Sequence, residues 1–184
     1  LDVSVDKEAC PNNLAPTSST TAALVMGDAI AVSLISANNF TAKDFAMSHP
    51  SGSLGRRLLT LVSSIMKSGK DIPMVSKETL LIDSLLVMSE KALGMVLIAE
   101  NEKLIGIFTD GDLRRALESN IDFQKLAIGD VMTRDCKSIE PHEPALSAMQ
   151  LMEKYSLNSL PVVDQSNKIV GAINMHTLIQ AKLF

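Results

Sequence analysis

Side chains able to do chemistry are sparse in this 184-residue sequence, and the best-spaced group is Thr109, Asp112 and the pair Arg114-Arg115. A hydroxyl at a helix start with a carboxylate three residues on can cap the helix and offset its dipole. With the neighbouring backbone N–H groups, the same arrangement can meet an anion. Either arginine could neutralise a phosphate, although paired arginines on a helix usually form a solvated face. A second group lies near the start. Glu8 is a carboxylate in Lys7-Glu8-Ala9-Cys10-Pro11, and residues 17–21 bring Thr and Ser hydroxyls suited to capping a helix. Of the three histidines, His49 sits in a Pro- and Gly-containing loop, where a side chain titrating near neutrality could serve catalysis. His142 reads as exposed, and His176 as the start of a final helix. Cys10 and Cys136 have no partners at zinc spacing, so neither a metal site nor a disulfide framework is expected.

The elements that must carry these groups fall into two textures. Residues 1–62 are rich in Ala, Ser and Thr. Residues 3–5 read as a strand end, and 22–37 as a helix apolar on most sides, which implies close packing. Thr41 and Asp44 form a capping box for a short helix, and residues 48–55 form a loop before a helical turn at 56–59. Asp28, inside the apolar helix, reads as structural.

From residue 63 onward the sequence repeats. A shift of 64 superposes Val75 on Ile139, Leu85 on Met149 and Met88 on Met152. After a turn the shift becomes 65, and Ile105-Gly106-Ile107-Phe108 falls on Val170-Gly171-Ala172-Ile173. Each copy reads strand–helix–strand–strand–helix. The helices are expected near 79–92 and 144–155, the strands over 95–99, 104–108, 160–163 and 168–173, and a last helix near 175–183. A copy of this size is marginal alone, so the two should pair about a pseudo-twofold axis over a common core.

Composition narrows the function classes. Aromatics are 3% with no Trp, the net charge is −4, and no basic stripe is present, which argues against nucleic-acid binding. Cysteine usage fits a reducing cytoplasm. No apolar run is expected to reach the ~18 residues of a membrane span. The sequence begins Leu1-Asp2-Val3 without an initiator Met or a signal-peptide pattern, and reads as a fragment of a longer chain.

Two resemblances sharpen this picture. Ile65-Met66, Val131-Met132, residues 160–164 and residues 104–113 resemble cystathionine-β-synthase (CBS) domains. This resemblance implies an α/β fold of α+β repeats, a tandem CBS pair with pseudo-twofold symmetry. Such pairs often bind adenosine-type nucleotides. The family's Gly-x-x-Thr-x-x-Asp pattern falls on Gly106, Thr109 and Asp112, with Arg114 or Arg115 near a phosphate, and implies that Asp112 accepts from ribose hydroxyls. In the second copy the positions are Gly171, Asn174 and Thr177, so only one half-site keeps its carboxylate. Residues 7–11, 14–21, 26–29 and 48–57 are similar to arabinose-5-phosphate isomerases, with Ser51 where that family usually has Gly.

The second resemblance implies the helical C-terminal tail of an incomplete sugar-isomerase (SIS) α/β domain over 1–62, a first CBS domain over 63–125 and a second over 126–184. It also implies a parent enzyme that interconverts D-ribulose 5-phosphate and D-arabinose 5-phosphate through an enediol, for Kdo, lipopolysaccharide or capsule synthesis. No cofactor is implied. Glu8 and His49 then fall on active-site positions, and the chain by itself would be inactive because the remaining groups lie upstream. A sugar phosphate substrate, a homo-oligomer and an effector such as an adenine nucleotide or CMP-Kdo follow from the same resemblance. The alternatives are a ligand-free assembly module and a stand-alone nucleotide sensor.

Overall fold

The structure is a computed structural model that describes residues 1–49, 52–118 and 122–183. Pro50 and Ser51, part of the loop expected at 48–55, lie outside the described residues. The chain forms two compact units, Leu1–Ser48 and His49–Phe184.

The first unit is a loop followed by helices α1 (Ser18–Ala37) and α2 (Ala42–Ser48). Residues 3–5 form no strand. The loop is folded back on itself by side-chain acceptors: Asn13 Oδ1 accepts from the Glu8 N–H at 2.6 Å, and Cys10 Sγ accepts from the N–H groups of Leu14 and Ala15. At α2, Asp44 Oδ2 accepts from both the N–H and the hydroxyl of Thr41, and Thr41 Oγ1 accepts from the Asp44 N–H. The capping box therefore works with Asp in place of Glu.

Two expectations for α1 need correction. The helix starts four residues earlier than read, because the hydroxyls of Thr20 and Thr21 turn back onto Thr17 O instead of capping outward. It is also not closely packed: none of its residues is buried, and Leu24, Val25 and Val32 are each at least 60% exposed. Over 18 of its 20 residues the mean hydropathy reaches 1.6, so it is long and apolar enough to cross a membrane, contrary to the sequence expectation. Single polar residues, Asp28, Ser33 and Ser36, interrupt its apolar run. A carboxylate at mid-helix is costly in hydrocarbon, whereas a protein interior can supply it with a partner.

In the second unit, α3 (Ser53–Leu59) and a 3₁₀ turn (Val62–Ser64) lead into β1 (Met74–Ser76), α4 (Leu81–Lys91), β2 (Met95–Glu100), β3 (Lys103–Thr109) and α5 (Asp110–Glu118). Then come α6 (Ile128–Val131), α7 (Ala145–Tyr155), β4 (Ser159–Val163), β5 (Ile169–Asn174) and α8 (Met175–Gln180). β1 runs parallel to β2, β2 pairs antiparallel with β3, and β4 pairs antiparallel with β5.

The repeat survives in fine detail. α4 and α7 have the same length, bury Leu81, Ser84, Met88 and Ala145, Ala148, Met152, and end on left-handed residues Ala92 and Ser156, both at φ 53°. Every one of these pairs is 64 apart. One element is not duplicated. In copy one the Leu97 N–H donates to Pro73 O at 2.7 Å, which anchors β1. The corresponding residue is Pro161, which has no N–H. The first strand of copy two therefore shrinks to a bridge between Ile139 and Val162.

Each copy has its own core, one around Leu81, Met88, Val96 and Phe108, the other around Met152, Leu160, Ile173 and Leu178. A third cluster, with Leu93, Met95, Leu97, Leu104, Val163 and Ile169, joins residues of both copies. The leading segments cross over. Val62 and Met66 pack into the core of copy two, while Ile128 and Met132 pack into that of copy one. Gly106 and Gly171 make this possible. A Cβ at Gly106 would lie 2.7 Å from Met132 Sδ and 2.9 Å from Thr133 O, and one at Gly171 would collide with Met66 and meet Lys67 O at 2.9 Å. Helix α3 contacts α7 of copy two, and the second compact unit begins at His49.

Candidate functional site

A cavity of about 460 Å³ opens between the end of β3 and the start of α5 on one side and residues 155–159 on the other. That size suits a small organic ligand. Copy one contributes Thr109, Asp110, Gly111 and Arg115; the segment leading into copy two contributes Thr133, Asp135, Cys136 and Lys137. The crossover brings this segment against copy one: Ile107 and Thr133 exchange backbone hydrogen bonds of 2.9 and 2.8 Å.

Asp112 organises the copy-one wall. Its Oδ2 accepts from the Thr109 N–H at 2.8 Å and the Thr109 hydroxyl at 2.6 Å. Its Oδ1 accepts from Arg115 Nη2 at 2.6 Å and from Thr133 Oγ1 at 3.3 Å. Burial by itself would raise this carboxyl's pKa, but the hydrogen bonds from Thr109 and Arg115 outweigh it and hold it below the usual Asp value. Thr109 and Asp112 thus form the same capping box as Thr41 and Asp44. Only at Asp112 do a guanidinium and a hydroxyl from a different segment join in.

The sequence-predicted residues divide accordingly. Thr109 lines the cavity, and Asp112 stands directly behind it through these bonds. Gly106 is not part of the lining; its role is the close approach of Thr133. Arg115 lines the cavity and Arg114 does not. Helical spacing held the signal, since a residue three positions on shares the face of Asp112 and a residue two on does not. The sequence reading passed over Asp110, Lys137 and Tyr155. Lys137 Nζ lies 5.1 Å from the centroid of the Tyr155 ring, and Lys154 Nζ lies 5.3 Å from it. Only tertiary structure brings Lys137 and Tyr155 to Arg115. Cys136 is half-buried, and burial pushes its thiol up, away from the reactive thiolate.

In copy two the corresponding cap is reversed. Asn174 Oδ1 accepts from the N–H of Thr177 at 3.0 Å and from its hydroxyl at 2.9 Å. His176 and Gln180 pair through their Nε2 atoms at 2.8 Å, and His142 lies 3.3 Å from Glu140. Among the described residues no three His, Cys, Asp or Glu side chains form a metal-binding group.

Glu8 and His49 fall in the two different compact units. Glu8 Oε2 accepts from the Thr17 N–H at 2.7 Å, the Thr17 hydroxyl at 2.9 Å and the Ser19 N–H at 3.3 Å. Thr17 makes no side-chain cap itself, so Glu8 caps α1 from a distance. Hydrogen bonds from Ser19 and Thr17 lower its pKa to about 2. His49 is exposed, and its carbonyl accepts from the Gly52 N–H at 3.2 Å.

The CBS domain model matches residues 62–119 and 128–183. The chain belongs to the CBS-domain family. Its CBS pair is similar to that of protein MJ0100 in complex with 5′-methylthioadenosine and S-adenosyl-L-methionine, with a TM-score of 0.58 at 25% identity over 66% of this chain and 98% of the other. It also shares its fold with CBSX2 in complex with AMP, at a TM-score of 0.57, 23% identity, and 67% and 96% coverage. Beyond the CBS pair, the chain is 51% identical over 183 residues to arabinose 5-phosphate isomerase KdsD of Francisella tularensis, covering 100% of this chain and 56% of the relative. It is 50% identical over 182 residues to KdsD of Escherichia coli K12, covering 98% and 55%. The chain therefore spans just over half the length of these relatives.

Proposed function

We propose that the chain is the C-terminal, effector-sensing part of a D-arabinose 5-phosphate isomerase, and that its interdomain cavity takes a nucleotide-type ligand. One observation carries the reading: the match to KdsD, 51% identical over 183 residues, spans both the CBS pair and the preceding unit. In this reading α1 is an interior helix of the isomerase domain, which accounts for its uncovered apolar surface. The protein would act in the cytoplasm as a homo-oligomer on D-ribulose 5-phosphate and D-arabinose 5-phosphate. His49 contributes to proton handling. Glu8, with a pKa of about 2 and three donors on one oxygen, is a poor base near neutrality and a good clamp on the loop and α1. It acts as a positioning residue.

The ligand half of the proposal draws on the cavity's size, on Arg115 and Lys137 in its wall, and on the adenosine-derived ligands of the MJ0100 pair. Binding would shift the pair between two arrangements for which the ligand has different affinities. The assembly-module reading is favoured by one observation: the acceptor sites of Asp112 are already filled from within the chain. Calorimetric titration with AMP, ATP and CMP-Kdo separates the two. Saturable heat with at least one ligand, lost in Asp112→Ala, is expected; no heat at millimolar concentration leaves assembly as the function. For the catalytic half, the longer protein should interconvert the two pentose phosphates and lose turnover in His49→Asn. Retained turnover removes His49 from the reaction.

A further inference from the structure

The β2–β3 and β4–β5 hairpins touch at their turns, and the contact is made twice. The Leu104 N–H donates to Asn167 O at 3.1 Å, and the Ile169 N–H donates to Glu102 O at 3.0 Å. A shift of 65 carries Leu104 to Ile169 and Glu102 to Asn167, so the pseudo-twofold axis runs between the two bonds. Side chains close the contact differently on its two sides. Asn167 Nδ2 donates to Leu104 O at 2.9 Å. At the matching position Glu102 is a carboxylate, which cannot donate. Its Oε2 lies 3.0 Å from Lys168 Nζ instead. Glu102 and Asn167 both hold a left-handed backbone, at φ 65° and 64°. That conformation is costly for a residue with a Cβ and persists where the surroundings over-determine it.

The cavity lies at the other end of the same strands. β3 runs from Lys103 in the turn to Thr109 in the cavity wall, and β4 runs from Ser159 in the opposite wall toward the turn. β3 has seven residues, and at roughly 3.3 Å per residue its ends are about 20 Å apart. At the cavity end about 460 Å³ of space separates the start of α5 from residues 155–159. The chain crosses there over residues 134–138, between the bridges Ile107–Thr133 and Ile139–Val162. The shared core cluster joins the two ends, from Leu104 and Ile169 beside the turns to Met95, which pairs with Thr109. An unbranched Met can repack as its neighbours move, whereas a backbone hydrogen bond is either kept or lost.

We propose that the turn-to-turn contact is the fixed pivot of the CBS pair, and that the two copies change their angle by opening and closing at the cavity end. Bonds at one end and space at the other make the motion a hinge. A rotation of about 10° around the turns moves a wall some 20 Å away by about 3 Å. This holds whether or not the cavity's ligand is a nucleotide.

The test measures distances between spin-label pairs in the 184-residue chain carrying Cys10→Ala and Cys136→Ala. One pair, Glu78→Cys with His142→Cys, spans the turn end; the other, Arg114→Cys with Glu153→Cys, spans the cavity end. The distance distribution at the cavity end should be about twice as wide as that at the turn end. Equal widths, or a wider distribution at the turn end, would overturn the pivot. Asn167→Gly keeps the left-handed backbone and removes the bond to Leu104 O. It should widen the turn-end distribution. A turn-end distribution unchanged in Asn167→Gly would show that this contact does not hold the angle, and would overturn the proposal as well.

Discussion

The two CBS copies have nearly the same backbone and different chemistry at the same corner. Copy one closes the start of α5 with a carboxylate at the third helical residue; copy two closes α8 with an amide at the residue before the helix. In both, the N–H of the third helical residue donates to the residue before the helix, and in copy one Asp112 also accepts from the Thr109 N–H, from Arg115 and from Thr133. The difference teaches that a duplicated fold can hold its frame through glycines and core methionines while one copy specialises in charge.

The strongest way to break this comparison is through the frame. Met152 is fully buried and Met88 nearly so, at matching positions. Met152→Ala should cost about 2–5 kcal/mol and Met88→Ala somewhat less. Because the third core cluster draws on both copies, each variant should unfold in one transition by circular dichroism. Two separate transitions would show independent copies. Gly106→Ala and Gly171→Ala come next. Each places a Cβ about 2.9 Å from a backbone carbonyl that cannot rotate away. A loss of roughly 1–3 kcal/mol is expected for each, read by urea denaturation. Stability equal to wild type would mean that the crossover segments are loosely held.

The repeat itself was legible in the sequence because apolar spacing survives divergence. The 64-residue shift located both helices and the strand pairs before any coordinates. The loss of the first strand in copy two was also encoded, in the missing N–H of Pro161, but it becomes meaningful only beside the copy-one bond from the Leu97 N–H to Pro73 O. The candidate site was legible in part. Thr109 and Asp112 stand three apart on one helix start, whereas Lys137 and Tyr155 reach Arg115 only through the crossover. The clamp made by Glu8 was hidden for the same reason, since its partners lie nine and eleven residues away, at the start of α1.

Smaller effects sharpen the comparison in charge. The pKa of Asp112 is lowered by folding, so its stabilisation is full above the unfolded Asp value of about 3.9 and fades as pH falls through the lower folded value. Asp112→Asn should cost roughly 1–2 kcal/mol near neutrality. The gap to wild type should close on acidification below about pH 4, in denaturant titrations. A gap independent of pH would show that the carboxylate charge contributes nothing. Copy two has no titrating group in its cap. Asn174→Ala should therefore cost about 1 kcal/mol, the same at either pH.

The central claim is that the carboxylate corner of copy one anchors the ligand and the matching corner of copy two does not. Titration of AMP into wild type, Asp112→Asn and Thr177→Val, with stoichiometry read by calorimetry, tests it most directly. One equivalent per chain, abolished by Asp112→Asn and unchanged by Thr177→Val, is the predicted result. Two equivalents per chain, or binding indifferent to Asp112→Asn, would contradict it.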